Sequence, residues 1–262
     1  MTDSTPLRVT REGGVLEVVL DRPKANAIDA ATSRKMGELF LGFRDDPELR
    51  VAIVTGAGGR FFSAGWDLKA AAEGEAPDAD FGIGGFAGLQ QLPDLNKPVI
   101  AAVNGMAVGG GFELALSCDL ILAADHARFA LPEINVGVLA DAATIKLPRR
   151  IPYHVAMDLL LTGRFMDAAE AARWGLVNEV VPGDGLMARA RELARLLAEG
   201  PPLVFAAIKE VVRKTATMGE QEALALVAAK GLPTVKRVYE SEDQLEGARA
   251  FAEKRKPVWK GR

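Results

Sequence analysis

Short apolar runs and helical spacings alternate along the first half of the chain. Five runs have the length and composition of buried strands, and they lie at residues 15–20, 51–55, 99–103, 120–123 and 127–130. Residues 30–43 carry apolar side chains at helical spacing instead, and a second helix is predicted after the glycines at 109–111. The repeating unit of strand, strand and helix favours a layered α/β core over a simple doubly wound sheet.

The second half of the chain has mainly helical patterns. The predicted helices lie at residues 155–162, 168–174, 186–199, 203–215, 221–230 and 242–254. A Gly-Pro-Pro sequence at 200–202 separates them into two groups. We therefore predict a core of residues 1–200 and a helical region of residues 201–262, of a kind that often packs against another subunit. Residues 71–88 are rich in alanine, glycine and acids, which predicts a mobile surface loop or a lid.

Composition and charge narrow the classes of function. The 262 residues are 49% hydrophobic and 26% charged, which is ordinary for a globular protein with a substantial core. The net charge of −3 weighs against non-specific nucleic-acid binding. Residues 1–11 lack the apolar run of a signal peptide, and no segment has the apolar length of a membrane helix. The single cysteine, Cys118, fits a reducing compartment, so we expect a cytoplasmic protein. His126 and His154 are too isolated for a histidine-based metal site, and no metal is expected.

Two glutamates in demanding local contexts are the strongest candidates for chemistry. Glu113 follows the glycine triplet 109–111 at the start of a predicted helix, and Glu133 follows Pro132. The first turn of a helix leaves backbone N–H groups unpaired, and the helix dipole there favours negative charge. Such a place can hold a developing oxyanion, while two nearby carboxylates move protons to and from carbon and water.

A second stretch, residues 60–69, directly follows the apolar run at 51–55 and the glycines after it. Its small residues Ser63, Ala64 and Gly65 allow the backbone to approach a bound molecule closely. With the glycine triplet, this stretch can supply two converging backbone donors. The α-proton of a thioester is only weakly acidic, so a developing enolate oxygen needs such donors.

These motifs resemble those of the crotonase, or enoyl-CoA hydratase/isomerase, superfamily. The matching segments, which together span nearly the whole chain, are residues 20–25, 62–68, 98–116, 132–133 and 250–255. The resemblance implies a crotonase-like spiral of strand-strand-helix (ββα) repeats with a C-terminal helical trimerisation region. It also implies a homotrimer or a dimer of trimers that acts on an acyl-CoA thioester. No metal or other cofactor is implied, since coenzyme A is part of the substrate.

The resemblance also implies roles for single residues. The backbone N–H groups of Trp66 and Gly110 would form an oxyanion hole. Glu113 would activate or receive the water, and Glu133 would exchange the proton at the α-carbon. The residues implied for CoA binding are Lys24, Ala25, Ala64, Lys69, Phe251 and Lys254. Ala25 and Ala64 would lie near the adenine, and Lys69 would lie near the phosphates. Phe251 and Lys254 would close over the nucleotide, from this subunit or a neighbouring one.

The number of acids favours hydration and dehydration within this family. Isomerases of the family often keep only the acid that matches Glu133, because one base can shuttle a proton; water addition needs a second group. Residues 65–69, 71–81 and 257–262 are most similar to the branch that acts on carnitinyl-CoA and crotonobetainyl-CoA. For that substrate, Trp66 would offer a π-face to the quaternary ammonium group. Asp141 and the acids of the 71–88 loop would add charge attraction, although the simpler interpretation of that loop is a solvated face.

One departure from the family pattern opens alternatives. Ala140 replaces a proline, and Ala142 and Ala143 replace a glycine pair, so we expect a restricted turn with weaker activity or an altered substrate. The alternatives are a general short-chain enoyl-CoA hydratase, an isomerase or thioester hydrolase on the same scaffold, and a CoA-binding homologue without efficient catalysis. An RNA-binding role is disfavoured by the acidic balance.

Overall fold

The structure is a computed structural model that describes residues 5–262. Residues 1–4 lie outside the described residues. They are part of the predicted first domain and of the stretch that is predicted to lack a signal peptide. The division into residues 1–200 and 201–262 stays a prediction. Within residues 5–262, no helix is long and apolar enough to cross a membrane.

Ten strands form two sheets within the described residues. The strands are β1 (Leu7–Glu12), β2 (Val15–Leu20), β3 (Val51–Gly56), β4 (Phe61–Ser63), β5 (Val99–Val103), β6 (Met106–Val108), β7 (Leu120–Ala124), β8 (Arg128–Ala130), β9 (Met166–Asp167) and β10 (Glu179–Val181). The large sheet has the order β1-β2-β3-β5-β7-β10, and the small sheet has the order β4-β6-β8-β9. All pairings are parallel except β1 with β2 and β8 with β9.

Eleven α-helices accompany the strands in the described part of the chain. They are α1 (Ala30–Asp45), α2 (Leu68–Ala72), α3 (Gly110–Leu116), α4 (Asp141–Lys146), α5 (Tyr153–Thr162), α6 (Ala168–Arg173), α7 (Leu186–Ala198), α8 (Pro202–Lys214), α9 (Glu220–Ala228), α10 (Pro233–Glu240) and α11 (Asp243–Ala252). Short 3₁₀ turns lie at Phe86–Gly88, Pro132–Val136, Leu147–Arg149 and Gly183–Gly185.

The chain alternates between the two sheets as it advances. The strand pairs β3 and β4, β5 and β6, and β7 and β8 each place one strand in the large sheet and the next in the small sheet. Helical segments follow each pair, which confirms the predicted spiral of strand-strand-helix repeats. The predicted helices of the second half are also present, and α4 and α10 are additional ones.

The core lies against the large sheet. Every residue of β3 is buried, so this strand is covered on both faces, as expected for a central parallel strand. On α1, Met36, Phe40 and Phe43 are fully buried. Full burial of such a side chain stabilises the fold by about 1.5–3 kcal/mol. The helix begins where the Asp29 carboxylate accepts a hydrogen bond from the Thr32 amide at 2.7 Å, a common N-cap arrangement.

The small sheet brings the candidate functional residues to one place. Strands β4, β6 and β8 are parallel, and Ala107 pairs with Ser63 on one side and with Phe129 on the other. Their carboxyl ends therefore lie along one edge. Residues 64–66, 109–110 and 131–133, which directly follow the three strands, leave the sheet together at that edge.

Candidate active site

A cavity of about 930 Å³ opens at the carboxyl edge of the small sheet. Its walls come from the segments after β4, β6 and β8, from α3 and α4, and from residues 77–91. The predicted site residues that line it are Ala64, Trp66, Gly110, Glu113, Glu133 and Asp141. Residues as far apart in the sequence as Ala64 and Asp141 thus line the same cavity.

The loops that carry the backbone amides of Trp66 and Gly110 meet at this edge. A Cβ atom added to Gly65 would lie 2.6 Å from the Gly110 nitrogen and 2.7 Å from the Val108 oxygen, so the loops after β4 and β6 are in direct contact. Gly65 also has a φ of +82°, which side chains disfavour. Among the described residues, neither the Trp66 amide nor the Gly110 amide has a hydrogen-bond acceptor. The two N–H groups are therefore available to an oxygen in the cavity.

Glu133 stands directly over the glycine turn. A Cβ atom on Gly109 would lie 2.9 Å from Oε1 of Glu133, and Gly109 has a φ of +54°. Oε2 of Glu133 is buried without a hydrogen-bond partner among the described residues. Burial, together with the charge of Glu113, raises the pKa of Glu133 to about 7. At neutral pH this carboxyl group can therefore either give or take a proton.

Glu113 has a different environment on α3, one turn after the glycines. Its side chain is buried, and each carboxylate oxygen accepts one hydrogen bond. The Ala143 amide donates to Oε1 at 2.9 Å, and Nε2 of Gln90 donates to Oε2 at 2.9 Å. Burial raises the pKa of Glu113, while both hydrogen bonds oppose that rise by favouring the ionised form. The two acids therefore have different surroundings: both oxygens of Glu113 accept hydrogen bonds, whereas Oε2 of Glu133 has no partner within residues 5–262.

The alanine-containing segment 140–143 does not form a strained turn. Ala140 precedes α4 with a φ of −80°, and Asp141, Ala142 and Ala143 begin the helix. The expectation that the alanines restrict a turn there is therefore wrong, because helical backbone accepts alanine readily. Asp141 lies close enough for its charge to raise the pKa of Glu113.

The acidic loop is more than a solvated face. The first two residues of the predicted loop, Ala71 and Ala72, belong to α2 instead. Farther on, Oε1 of Glu75 accepts from the Trp66 indole at 2.9 Å, and Oε2 of Glu75 accepts from the Ala30 amide at 2.9 Å. Asp78 lines the cavity. The solvated-face interpretation is therefore wrong for Glu75, because this carboxylate joins the loop to Trp66 and to the start of α1.

The residues predicted to bind CoA fall into two groups. Ala25 and Ala64 are adjacent, since the Ala64 amide donates to the Ala25 carbonyl at 2.9 Å. Lys24, with a φ of +78°, and Lys69 on α2 are exposed near the same loops. Phe251 and Lys254 lie at the end of α11, are exposed, and do not line the cavity within residues 5–262. The chain alone thus brings together the first group but not the second.

Three polar residues, two that line the cavity and one in the loop beside it, have no motif that could have identified them. Gln90 contacts Glu113 across 23 positions of sequence. Asn26 is buried and donates to the Ala57 and Phe61 carbonyls, which fixes the loop before α1. Lys146 donates to Oγ of Ser117 at 2.7 Å, and burial lowers the pKa of Lys146 to about 8. Each acts through tertiary contacts that no local pattern encodes.

Comparisons with known proteins agree with this geometry. A family model described as enoyl-CoA hydratase/isomerase matches residues 10–262. The carnitinyl-CoA dehydratase of Citrobacter koseri is 60% identical and covers 99% of this chain and 100% of its own. The enzyme of that name from Salmonella arizonae is 61% identical, with 98% and 99% covered.

Solved structures give the same result for the fold. The enoyl-CoA hydratase from Mycobacterium tuberculosis H37Rv has a TM-score of 0.89 at 37% identity, and the match covers 98% of this chain and 99% of that one. The enoyl-CoA hydratase from Bacillus anthracis has a TM-score of 0.88 at 32% identity, and the match covers 98% and 100%. The similarity therefore extends over essentially the whole length of both proteins.

Proposed function

The chain belongs to the enoyl-CoA hydratase/isomerase family and is an acyl-CoA hydro-lyase, and we propose that its substrates are carnitinyl-CoA and crotonobetainyl-CoA. The membership confirms the resemblance found in the sequence motifs. The substrate proposal is supported by full-length relatives at 59–61% identity that carry the name carnitinyl-CoA dehydratase. The observation that carries the mechanism is the shared cavity of Glu113, Glu133 and two unpaired amides.

In this mechanism the thioester oxygen lies between the amides of Trp66 and Gly110. During hydration, Glu113 accepts a proton from water while the hydroxide adds to the β-carbon. The electron pair of the double bond moves to the thioester oxygen, where the two N–H groups stabilise the enolate. Glu133 then donates its proton to the α-carbon. Dehydration runs through the same groups in reverse.

The protonation of the two acids supports these roles. Hydration needs an ionised Glu113 and a protonated Glu133. The two donors on Glu113 favour its ionised form, and the raised pKa of Glu133, about 7, keeps a proton there near neutral pH. The charge of Glu113 is one cause of that raised pKa, so the two acids titrate as a coupled pair, and the proposed mechanism needs this pair to hold one proton.

The lining of the cavity supports a cationic acyl group. Phe81 and Phe86 pack edge to face with ring centroids 5.3 Å apart, and together with Trp66 they give the cavity aromatic faces. Aromatic faces attract quaternary ammonium groups. Asp78 and Asp141 add two carboxylates to the lining, and Lys146, the one lining cation within residues 5–262, is engaged with Ser117. An uncharged short acyl chain would gain nothing from these acids.

Turnover of crotonobetainyl-CoA and crotonyl-CoA, measured side by side by loss of the conjugated thioester absorbance, tests the substrate. We expect a higher kcat/KM for the cationic substrate than for the uncharged one. This preference should decrease as the salt concentration rises. Equal or reversed preference would make the protein a general short-chain hydratase. Product analysis separates a hydroxyacyl-CoA from a shifted double bond or free CoA, which would indicate an isomerase or a hydrolase.

We also propose that the protein works as a homotrimer or a dimer of trimers. Val204, Ile208 and Val212 are exposed by 38%, 54% and 66%, and their spacing of four places them on one face of α8. Phe251 is 88% exposed on α11. An apolar stripe of this kind is typical of an interface. In the assembly, Phe251 and Lys254 would close over the CoA nucleotide of a neighbouring subunit. A cytoplasmic location is part of the proposal, since CoA thioesters are made and used there.

A further inference from the structure

Each oxygen of the Glu113 carboxylate accepts a hydrogen bond from a different segment of the chain. The Ala143 amide reaches Oε1 from α4, and the Gln90 carboxamide reaches Oε2 from the segment that precedes β5. A backbone amide in a helix has little freedom to move. The Gln90 side chain is therefore the adjustable part of this arrangement, and it is not a recognisable element of any catalytic motif in the sequence.

The backbone around Gln90 is firmly placed. The Ala87 amide donates to Oγ of Ser33 on α1 at 3.1 Å, and the Gln91 amide donates to the Gly84 carbonyl at 2.8 Å. Ala87, Gly88 and Leu89 are buried. Gln90 itself is half-buried, so its carboxamide is presented to Glu113 from a fixed loop. A hydrogen bond from a pre-ordered donor loses less entropy when it forms than one from a mobile side chain.

We propose that Gln90 is a positioning residue that keeps Glu113 ionised and aims its carboxylate at the attacking water. A donor to an ionised carboxylate stabilises the charged form, and here it opposes the effect of burial. It also fixes the rotation of the carboxylate plane, which decides whether a lone pair faces the water. The inference rests on the proposed role of Glu113 as the group that takes the proton from water.

The matched variants are Gln90→Met, which keeps the length of the side chain but removes the donor, and Gln221→Met as its control. Gln221 is exposed on α9, does not line the cavity and has no side-chain hydrogen bond within residues 5–262. For Gln90→Met we expect kcat to fall by about 10- to 100-fold, the usual effect of losing a hydrogen bond to a charged group. KM should change little, and Gln221→Met should match the wild type.

The pH profile separates positioning from packing. Loss of the donor raises the pKa of Glu113, so the acidic limb of kcat/KM should move to higher pH by about one unit. A merely structural role would lower kcat without moving that limb, and this result would overturn the inference. At pH values above the acidic limb, Gln90→Glu should lower kcat/KM more than Gln90→Met does, because the added carboxylate would repel the carboxylate of Glu113. Gln90→Ala serves if the methionine variant does not fold.

A readout without turnover keeps this inference separate from the proposed function. Infrared difference spectra of protein with ¹³C-labelled glutamate report carboxyl protonation, and Glu113→Gln identifies the band of Glu113. If no CoA substrate is turned over, the proposed function fails, yet the pKa of Glu113 should still rise in Gln90→Met. An unchanged pKa in a folded Gln90→Met protein contradicts the inference whatever the substrate is.

Discussion

Oε2 of Glu133 is buried without a hydrogen-bond partner in the part of the chain that the structure describes, and this position has a cost in stability. Its pKa is about 7 in the folded protein against a reference value of 4.5. Between these values the native state binds more protons than the unfolded state, so stability falls as the pH rises through this window. The full cost, reached above pH 7, is about 3 kcal/mol from the size of the shift.

Glu133→Gln should therefore abolish turnover while it improves stability at alkaline pH. Relative to the wild type, the free energy of unfolding of the variant should be higher at pH 8 than at pH 5 by about 2 kcal/mol. A constant offset from the unpaired amide cancels in this difference. Chemical denaturation of both proteins at the two pH values measures it. A pH-independent difference between the two proteins would show that Glu133 ionises normally.

The shared proton of Glu113 and Glu133 predicts a particular pH dependence. Hydration and dehydration both need the pair to hold a single proton, and they differ only in which acid carries it. Since the raised pKa of Glu133 is about 7, kcat/KM should fall as the pH rises above that value. The profile should be the same in both directions, because the equilibrium constant of hydration does not depend on pH. Constant activity up to pH 9 would contradict the shared proton.

Gly65 allows close contact between the loops that carry the two proposed oxyanion donors, and this can be tested against a matched glycine. Gly65 and Gly58 have similar φ values, +82° and +76°, so alanine is strained at both. Only at Gly65 does the added Cβ atom meet the Gly110 nitrogen, at 2.6 Å; at Gly58 it meets nothing within 4 Å. We expect Gly65→Ala to lower kcat by about 10²–10³, the effect of losing one oxyanion donor.

Gly58→Ala should lose a similar amount of stability from backbone strain and keep its kcat. Thermal unfolding and turnover of both variants make the comparison. A folded Gly65→Ala protein with wild-type kcat would show that the contact between the two loops does not shape the oxyanion hole.

At the scale of elements, the segment between β4 and β5 is joined to the site by Glu75. This carboxylate accepts from the Trp66 indole and from the Ala30 amide at the start of α1. Glu75→Ala should release the segment, raise KM for the CoA substrate and remove an acceptor from the helix start. Loss of a helix-start acceptor costs about 1 kcal/mol. The exposed Glu73 provides the control variant, Glu73→Ala, which should leave both KM and stability unchanged.

The elements also show how far sequence reasoning could reach. Strands β2, β3, β5 and β7 have five or six residues and were predictable from their apolar runs. Strands β4 and β6 have three residues each and were missed, whereas the equally short β8 lies within the predicted run at 127–130. The two glutamates were found because glycines and proline mark their backbone positions. Gln90 and the Ala143 amide reach Glu113 across 23 and 30 positions, and only the fold brings them there.

At the scale of the whole molecule, the exposed residues of the C-terminal helices pose the remaining question. Phe251 and Lys254 lie away from the cavity of their own chain, within the part that the structure describes. If they complete the CoA site of a neighbour, Phe251→Ala should raise KM without lowering kcat at saturation. In such an assembly, a subunit whose own active site is inactive could still supply an intact Phe251 to its neighbour.

Mixed assemblies of two defective chains test this arrangement. Glu133→Gln chains lack the proton donor but carry an intact Phe251, and Phe251→Ala chains carry an intact Glu133. When the two are co-expressed, some sites combine the intact residue of each, so activity at low substrate should exceed the sum of the separate proteins. A double variant co-expressed with Glu133→Gln is the control and should stay inactive. Activity no greater than that sum, in an assembly that light scattering shows to be mixed, would mean that Phe251 serves its own chain or no CoA site.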